Sequence, residues 1–301
     1  MKNLSVFVLF LFCLTFAVNA QVTTSGISGK VTAEGELLIG ATVQAVHEPS
    51  GTTYGTVTNV DGRYSLQGMR IGGPYTVEVS YVGFQKAVYK NITLQLGETY
   101  LLDVKLTESL SLDEVVVTAS KAALFNSQKT GAAQNFNQSQ ILSTPTVNRS
   151  IFDITKMNPM GINTSSGMSF VGSSNKYNSF QIDGTANNDV FGLSASGTNG
   201  DQAGANPISL DAIEEIQVVI APFDVRQSGF TGGGINAITK SGTNAFHGSV
   251  YGYYNNEKFY GKTPGNAKER TRLDDQSSET YGVTLGGPII KNKLFFFTNF
   301  E

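Results

Sequence analysis

The sequence predicts an exported, mainly β protein with a small antiparallel β-sandwich, a mixed α/β domain and the first strands of a transmembrane antiparallel β-barrel. Residues 21–107 consist of short alternating runs separated by turn residues, with no helical period between them. Residues 121–240 are rich in Gly, Asn and Ser, and their apolar runs are short. From Phe246 onward, alternating aromatic segments flank one long polar stretch and one tight turn, as the strands and loops of transmembrane barrels do.

The N-terminal segment has the organisation of a cleaved secretory signal. Lys2 supplies a positive charge, Leu4 to Val18 form an apolar run, and Ala20 ends a small-residue cleavage site before Gln21. A membrane-spanning helix needs about 20 apolar residues, and this run is shorter. We therefore expect residues 1–20 to be removed between Ala20 and Gln21 and the mature chain to enter the cell envelope.

Composition excludes several function classes. Cys13 is the only cysteine and lies in the predicted signal, so the mature chain should have no disulfide, thiol nucleophile or Cys-ligated metal. A formal net charge of −3 lacks the basic footprint of a nucleic-acid binder. The two histidines outside the signal, His47 and His247, fall in segments of different type, which argues against a metal site or a Ser-His-Asp triad. We expect no catalytic residue, no metal and no cofactor, and hence no enzyme.

The predicted sandwich occupies residues 21–107. Asp61-Gly62 between two alternating runs predicts a hairpin turn, and the calcium-loop alternative lacks the further carboxylates. Strands are predicted at I-S-G-K-V-T, A-T-V-Q-A-V, G-T-V-T-N-V, R-Y-S-L, Y-T-V-E-V-S-Y and Y-L-L-D-V-K-L. Four runs resemble the carboxypeptidase regulatory-like domain, a transthyretin-like sandwich: I-S-G-K-V-T, G-A-T-V, T-N-V-D-G-R-Y-S-L and Y-T-V-E-V-S-Y-V-G-F. The resemblance implies an accessory domain without peptidase chemistry.

The following segment is predicted to be a small mixed α/β domain with long loops. Short helices are expected at Q-S-Q-I-L and at S-I-F-D-I-T-K-M, where Ser150 is a candidate N-cap and Pro159 ends the helix. Strands are expected at F-Q-I-D-G, at I-Q-V-V-I after a helical turn that begins at Pro207, and at I-N-A-I-T-K. The run G-G-G-I-N-A matches a dinucleotide pattern, but a strand rather than a helix follows the glycines, so nucleotide binding is rejected.

The last segment predicts membrane strands. F-H-G-S-V-Y-G-Y-Y, Y-G-V-T-L-G-G-P-I-I and L-F-F-F-T-N-F-E alternate around the polar stretch 255–279 and the tight turn K-N-K. A soluble hairpin sheet is the alternative, which the unequal loop lengths disfavour. A barrel needs about eight strands, so we expect these 301 residues to be the N-terminal portion of a longer protein.

Several motifs resemble TonB-dependent outer-membrane receptors. S-L-D-A-I-E-E-I-Q-V-V-I-A-P and G-G-G-I-N-A-I-T-K-S-G-T resemble the end of the plug, and F-Q-I-D-G-T-A-N-N-D-V-F-G-L resembles its I-D-G strand. Within this family, the Oar-like branch is the one that looks most similar to the sequence A-P-F-D-V-R-Q-S-G-F-T-G-G-G-I-N-A-I-T-K. Ile220-Ala221-Pro222 and Phe170-Val171-Gly172 stand where many plugs carry Arg-Gly-Pro and Arg-Gly, so locking of plug to barrel by those arginines is not implied.

The run L-D-E-V-V-V-T-A resembles the TonB box, the segment through which TonB engages the receptor. As a free strand on a tether, it would add to an exposed sheet edge of the partner. The alternative makes residues 115–119 the last strand of the sandwich. The residues that the resemblance assigns to TonB binding are Asp113, Glu114, Val115, Val116, Val117, Thr118 and Ala119.

The resemblance implies the order signal (1–20), regulatory-like sandwich (21–107), tether with TonB box (108–130), plug (131–242) and first barrel strands (243–301). It implies energy-coupled transport across the outer membrane, with the sandwich and the box in the periplasm. The implied partners are TonB with its inner-membrane complex, outer-membrane lipid and a ligand that the sequence does not assign. The plug loop with Asn187, Asn188 and Asp189 could face that ligand. A surface adhesin or carbohydrate-binding sandwich, and an exported peptidase with a regulatory domain, are the alternatives.

Overall fold

The structure is a computed structural model with three β-rich units along the chain. The predicted signal (residues 1–20) and its cleavage site between Ala20 and Gln21 lie outside the described residues. Within the described part, no helix has both the length and the apolar character to cross a membrane. The structure describes residues 22–108, 115–118, 132–146, 149–164, 167–194, 196–200, 203, 205–222, 227, 229–263 and 271–301.

The first unit is a two-sheet sandwich. Its strands are β1 (Ser25–Ala33), β2 (Glu36–Leu37), β3 (Thr42–His47), β4 (Thr52–Val57), β5 (Arg63–Met69), β6 (Gly72–Ser80), β7 (Ala87–Leu94), β8 (Thr99–Leu101) and β9 (Val104–Leu106), with β10 (Val115–Thr118) joining later in the chain. In one sheet β1 pairs antiparallel with β2 and β5 and parallel with β8 and β9. The other sheet has the order β10-β7-β6-β3-β4.

The core of the sandwich lies between these two sheets. Alternate residues of a strand point to opposite faces, so Val43 and Ala45 of β3 are fully buried while Thr42 and Gln44 are exposed. The buried cluster runs from Ile27 to Leu106. A turn forms at Asp61-Gly62, where the Gly62 amide donates to the Asn59 carbonyl at 2.9 Å. The predicted hairpin is wrong, because the flanking strands β4 and β5 belong to different sheets.

Two strands of the sandwich were not predicted, the two-residue β2 and the longer β7. β7 reads A-V-Y-K-N-I-T-L, and Asn91 has φ +63°. The register between β6 and β7 shifts between Tyr75 and Val77, next to this residue. The two polar residues Lys90 and Asn91 therefore break the alternation by which a strand is recognised in a sequence. The run predicted at residues 55–60 is also displaced, since β4 ends at Val57.

The second unit, which we call the central unit, is built on a mixed sheet. Its elements are β11 (Ala132–Asn137), α1 (Gln138–Ser143), α2 (Ile151–Thr155), β12 (Gly161–Thr164), β13 (Gly167–Phe170), β14 (Ser179–Ile182), β15 (Thr185–Ala186), β16 (Ile213–Ile220) and β17 (Gly233–Thr239). The sheet order is β11-β16-β17-β14-β15, with β12 and β13 as a separate hairpin. β14 is parallel to β17 and the other pairs are antiparallel.

Both predicted helices of the central unit are confirmed, and local capping explains where they begin. Asn137 and Gln140 form a reciprocal capping box in front of α1, with bonds of 2.9 and 3.0 Å. The Ser150 hydroxyl accepts from the Phe152 amide at the start of α2. The helices place Ile141, Ile151 and Ile154 in the core beneath the sheet.

The third unit is an antiparallel meander of β18 (His247–Asn256), β19 (Ser277–Ile290) and β20 (Leu294–Phe300). All three strands and the turn K-N-K at 291–293 agree with the sequence expectation. One face is apolar and open: Val250 is 86% exposed and Phe300 75% exposed. Aromatic rings lie near both ends of this face, with Phe246 and Phe296 at one end and Tyr254 and Phe259 at the other.

Candidate functional site

The valine run forms β10, which pairs with the edge of the sandwich. Val115 to Thr118 lie parallel to β7, with Val116 opposite Val88 and Thr118 opposite Lys90. The expectation that this run is a free strand on a tether is therefore wrong for Val115 to Thr118, and the structure agrees with the alternative of a further sandwich strand. The physical reason is that β7 would otherwise be an unpaired edge, which a β-branched run can complete. Because β7 was missed in the sequence, so was its open edge.

The other residues of the predicted TonB box are not placed. Asp113, Glu114 and Ala119 lie outside the described residues. The assignment of residues 113–119 to TonB therefore stays a prediction. What the structure adds is that Val115 to Thr118 are extended, as strand addition to a partner requires.

The sandwich meets the central unit through backbone groups at Leu96, which is fully buried. The Leu96 amide donates to Glu215 Oε1 at 3.0 Å, and its carbonyl accepts from Gln217 Nε2 at 2.6 Å and from Asn135 Nδ2 at 3.0 Å. Nearby, Asn236 Nδ2 donates to the carbonyl of Val22 at 3.0 Å. These bonds dock the sandwich on strands β11, β16 and β17.

This docking contact was not predicted from the sequence, although the polar residues within β16 indicate it. β16 reads I-E-E-I-Q-V-V-I and is buried along nearly its whole length. Glu215 and Gln217 are two residues apart and so face the same side of the strand. Buried polar side chains need partners, so a carboxylate and an amide in such a run indicate a second polar surface.

Burial raises the pKa of the Glu215 carboxyl to about 7. The amide of Leu96 and the side chain of Asn135 oppose this shift, while the nearby carboxylates Glu98 and Glu214 add to it. The docked structure therefore holds this proton to higher pH than a solvent-exposed glutamate, whose ordinary pKa is 4.5. Undocking would expose the Glu215 carboxyl to water, so we expect docking to be strongest below about pH 4.5, to weaken between pH 4.5 and about 7, and to change little above pH 7.

We expect Glu215→Gln to flatten this pH dependence. Glutamine keeps an oxygen that accepts from the Leu96 amide, but it cannot ionise. The free-energy cost of ionising the buried carboxyl, about 1.4 kcal/mol per unit of pKa shift, is therefore absent in this variant. The measurement is hydrogen exchange of the Leu96 amide in the protein between pH 5 and 8, corrected for intrinsic rates. Glu36→Gln, at an exposed site in β2, is the matched control. An unchanged pH profile in Glu215→Gln would contradict the role of this carboxyl.

Arg149 joins the central unit to the first strand of the meander. Its guanidinium pairs with the carboxylate of Asp211, and its Cζ lies 3.9 Å from the ring centroid of Tyr253 and 5.3 Å from that of Tyr251. The hydroxyls of Ser209 and Tyr251 are 3.0 Å apart, which adds a second contact between the units. No local pattern marks Arg149 in the sequence, because its partners come from distant segments.

An open cavity of about 790 Å³ lies beside this anchor. Residues Tyr253, Tyr254, Phe259 and Tyr260 line it from the side of the meander, and Thr146 and Asn206 line it from the central unit. Such a surface can stack flat or apolar groups and hydrogen-bond to hydroxyls and amides. The cavity is therefore a candidate binding site whose lining mixes aromatic, polar and a few charged residues.

The loop residues named as ligand candidates have hydrogen-bond partners in strand β14 and in the loop that follows it. Asn188 Oδ1 accepts from the Phe180 amide at 2.6 Å, and Asp189 accepts from the amides of Phe191 and Ser194 at 3.0 and 2.6 Å. Backbone amides lower the pKa of Asp189. Asn187 Oδ1 accepts from the Asn199 side chain at 2.7 Å. These side chains shape the loop, and a ligand contact for them remains a prediction.

The two histidines lie in different environments, His47 buried in the sandwich and His247 exposed on the meander. His47 Nδ1 lies 2.7 Å from the Ser50 hydroxyl in the sandwich, and burial, aided by the positive charge of Arg70, lowers its pKa to about 4. His247 is exposed at the start of β18. In the part of the chain that the structure describes, no three His, Cys, Asp or Glu side chains come together as a metal site would need.

Comparison with known proteins agrees with this architecture. Residues 26–107 match the carboxypeptidase regulatory-like domain, and residues 238–301 match an outer membrane beta barrel domain. Over 257 residues, or 81% of the chain, the sequence is 28% identical to the TonB-dependent transporter Oar of Myxococcus xanthus, and the match covers 23% of that protein. A probable TonB-dependent siderophore receptor, PirA of Acinetobacter baumannii, is 38% identical over 100 residues, which are 33% of this chain and 11% of that one. The crystal structure of PirA from Acinetobacter baumannii aligns with a TM-score of 0.42 and 25% identity, over 56% of this chain and 24% of that one.

These matches define an outer-membrane protein with an N-terminal carboxypeptidase regulatory-like domain and strands of an outer-membrane β-barrel. More particularly, the chain is a homologue of the TonB-dependent transporter Oar and spans about a quarter of its length. The resemblance drawn from the sequence and the outer-membrane location are thereby confirmed. The barrel match also favours membrane strands over a soluble hairpin sheet for residues 243–301.

Proposed function

We propose that this chain is part of a TonB-dependent transporter that moves a ligand across the outer membrane, with residues 131–242 as the plug and 113–119 as the TonB box. The observation that carries the proposal is the two-sided meander of β18, β19 and β20. One face is apolar and exposed, as lipid contact requires, while the other bears Tyr251 and Tyr253, which contact Arg149 and Ser209 of the central unit. In a plugged transporter, a domain lies against the inner face of the barrel strands in this way.

The proposed mechanism involves no covalent chemistry on the ligand. A ligand in the cavity beside Arg149 would contact both the plug and the barrel wall. TonB, bound to residues 113–119, would pull on the tether that leads directly into β11. Among the described residues, β11 is the edge strand of the central sheet and has β16 as its one partner, from Ala132 opposite Ile220 to Asn137 opposite Glu215. Peeling this strand would remove Phe136 from the core and loosen the plug.

Only one of the two relatives has a description that names a cargo class, and the cavity does not show whether this chain takes the same class. PirA is described as a siderophore receptor and Oar only as a transporter. The mixed aromatic and polar wall suits many flat or hydroxylated ligands. The adhesin alternative finds no specific support, because residues 238–301 match a barrel rather than further sandwich repeats.

The plug assignment predicts that deletion of residues 132–242 from the full-length receptor leaves an open pore. The barrel strands pair with one another rather than with the central sheet, so insertion should persist. Conductance in planar bilayers, with heat-modifiable mobility as the check on barrel folding, measures the effect. We expect frequent large openings in the deletion variant and a closed wild type. A folded variant that stays closed would contradict the plug role.

A further inference from the structure

We propose that the β7 edge of the sandwich holds residues 115–118 in competition with TonB, so that the sandwich masks the box until the strand is displaced. This inference rests on the proposed function, because it takes residues 113–119 as the segment that TonB binds. It goes further by giving the accessory sandwich a role, which is control over the availability of the box.

The geometry of β10 supports masking. Four residues pair in parallel register with β7, from Val115 opposite Ala87 to Thr118 opposite Lys90. Strand addition to a partner uses the same backbone donors and acceptors that β7 engages on one side of the strand. A strand whose one side is already paired, and which is fixed to a folded domain, is a poorer template than a free strand.

The pairing is also weak enough to be broken. It involves only four residues, and parallel pairs are slightly less stable per residue than antiparallel ones. The match to the carboxypeptidase regulatory-like domain ends at residue 107, before this strand begins. β10 is therefore an addition to a sandwich whose described core already runs from Ile27 to Leu106, and it can leave without opening that core.

The sandwich is positioned to act as a fixed holder. β7 ends at Leu94, and two residues later the backbone of Leu96 is bound by Glu215, Gln217 and Asn135 of the central unit. The edge that carries β10 is thus tied to the plug through one short segment. A box held on this edge stays next to the strands on which TonB would pull.

An engineered disulfide tests the proposal directly. Lys90 is exposed and lies opposite Thr118. Neighbouring strands are about 4.8 Å apart, which is within the Cα separation that a disulfide spans. Cys13 is the only cysteine of these 301 residues and lies in the predicted signal. The full-length receptor with Lys90→Cys and Thr118→Cys would be compared, oxidised and reduced, with each single variant for binding of the purified periplasmic domain of TonB.

We expect the disulfide to form readily and to weaken TonB binding at least tenfold, with full recovery on reduction and no redox effect in the single variants. Failure of the disulfide to form would overturn the inference, because residue 118 would then not lie on β7. A disulfide that forms without changing TonB binding would also overturn it and would leave the proposed function standing. If the reduced receptor and the single variants do not bind TonB at all, the box assignment itself fails.

Discussion

Val116→Pro in the full-length receptor is expected to abolish TonB binding while leaving outer-membrane insertion intact. Proline removes a backbone donor and fixes φ, and the middle of a short strand tolerates neither change. We expect at least a tenfold loss in recovery of TonB with the purified receptor. Val116→Thr keeps the β-branch and the backbone donor and should bind within about twofold of wild type, so it is the matched control.

The same substitution also separates the two roles of the valine strand. Because β10 lies at the edge of the sandwich sheet, its loss should lower the melting temperature of isolated residues 21–120 only slightly. If the strand only stabilises the sandwich, Val116→Pro should instead cause a large drop in melting temperature and leave TonB binding unchanged. That pattern would assign residues 115–118 to the sandwich alone.

Gly29→Ala is expected to destabilise the sandwich more than other single-methyl changes in its strands. Gly29 lies in the middle of β1, and a Cβ there would overlap the backbone carbonyl of Leu102. That carbonyl cannot move freely, since it accepts from the Tyr64 hydroxyl at 2.7 Å and the Leu102 amide donates to Ser28 at 2.8 Å. We expect a loss of about 3 kcal/mol, at the upper end of the cost of inserting a methyl into a packed site.

Thermal melting of isolated residues 22–108 measures this loss. For a domain of this size, about 3 kcal/mol corresponds to a fall of roughly 12 °C or more in melting temperature. Gly55→Ala is the control, because the nearest atom to a Cβ there, the Val43 carbonyl oxygen, is 4.0 Å away. Equal melting temperatures for the two variants would show that β1 and the Leu102 segment are not packed as described.

Much of the fold could be predicted because local signals and tertiary structure agree. The alternation in β3 and β6, the Asp61-Gly62 turn and the Ser150 cap each act within a few residues, and each is found in the structure. The aromatic strands of the meander were also recognisable, since their period of two spans ten residues in β18. These features need no knowledge of distant partners.

The contacts that join the units could not be predicted in this way. β7 was hidden by the bulge at Asn91, and its pairing with β10 was hidden with it. Arg149 acts through Asp211 and Tyr253, which are separated from it by long stretches of chain. Such contacts depend on the packing of whole units, so a periodic pattern in one segment carries no information about them.

Site-specific photo-crosslinking from position 116 of the full-length receptor in living cells tests the central claim most directly. A photoreactive residue replaces Val116, and crosslinked products are identified by their size and with antibodies to TonB and to the sandwich. If residues 115–118 alternate between β7 and TonB, we expect a crosslink to TonB when transport is active. In the resting receptor we expect an internal crosslink to the sandwich near Val88. Internal crosslinks alone under every condition, with TonB present and energised, would contradict the account.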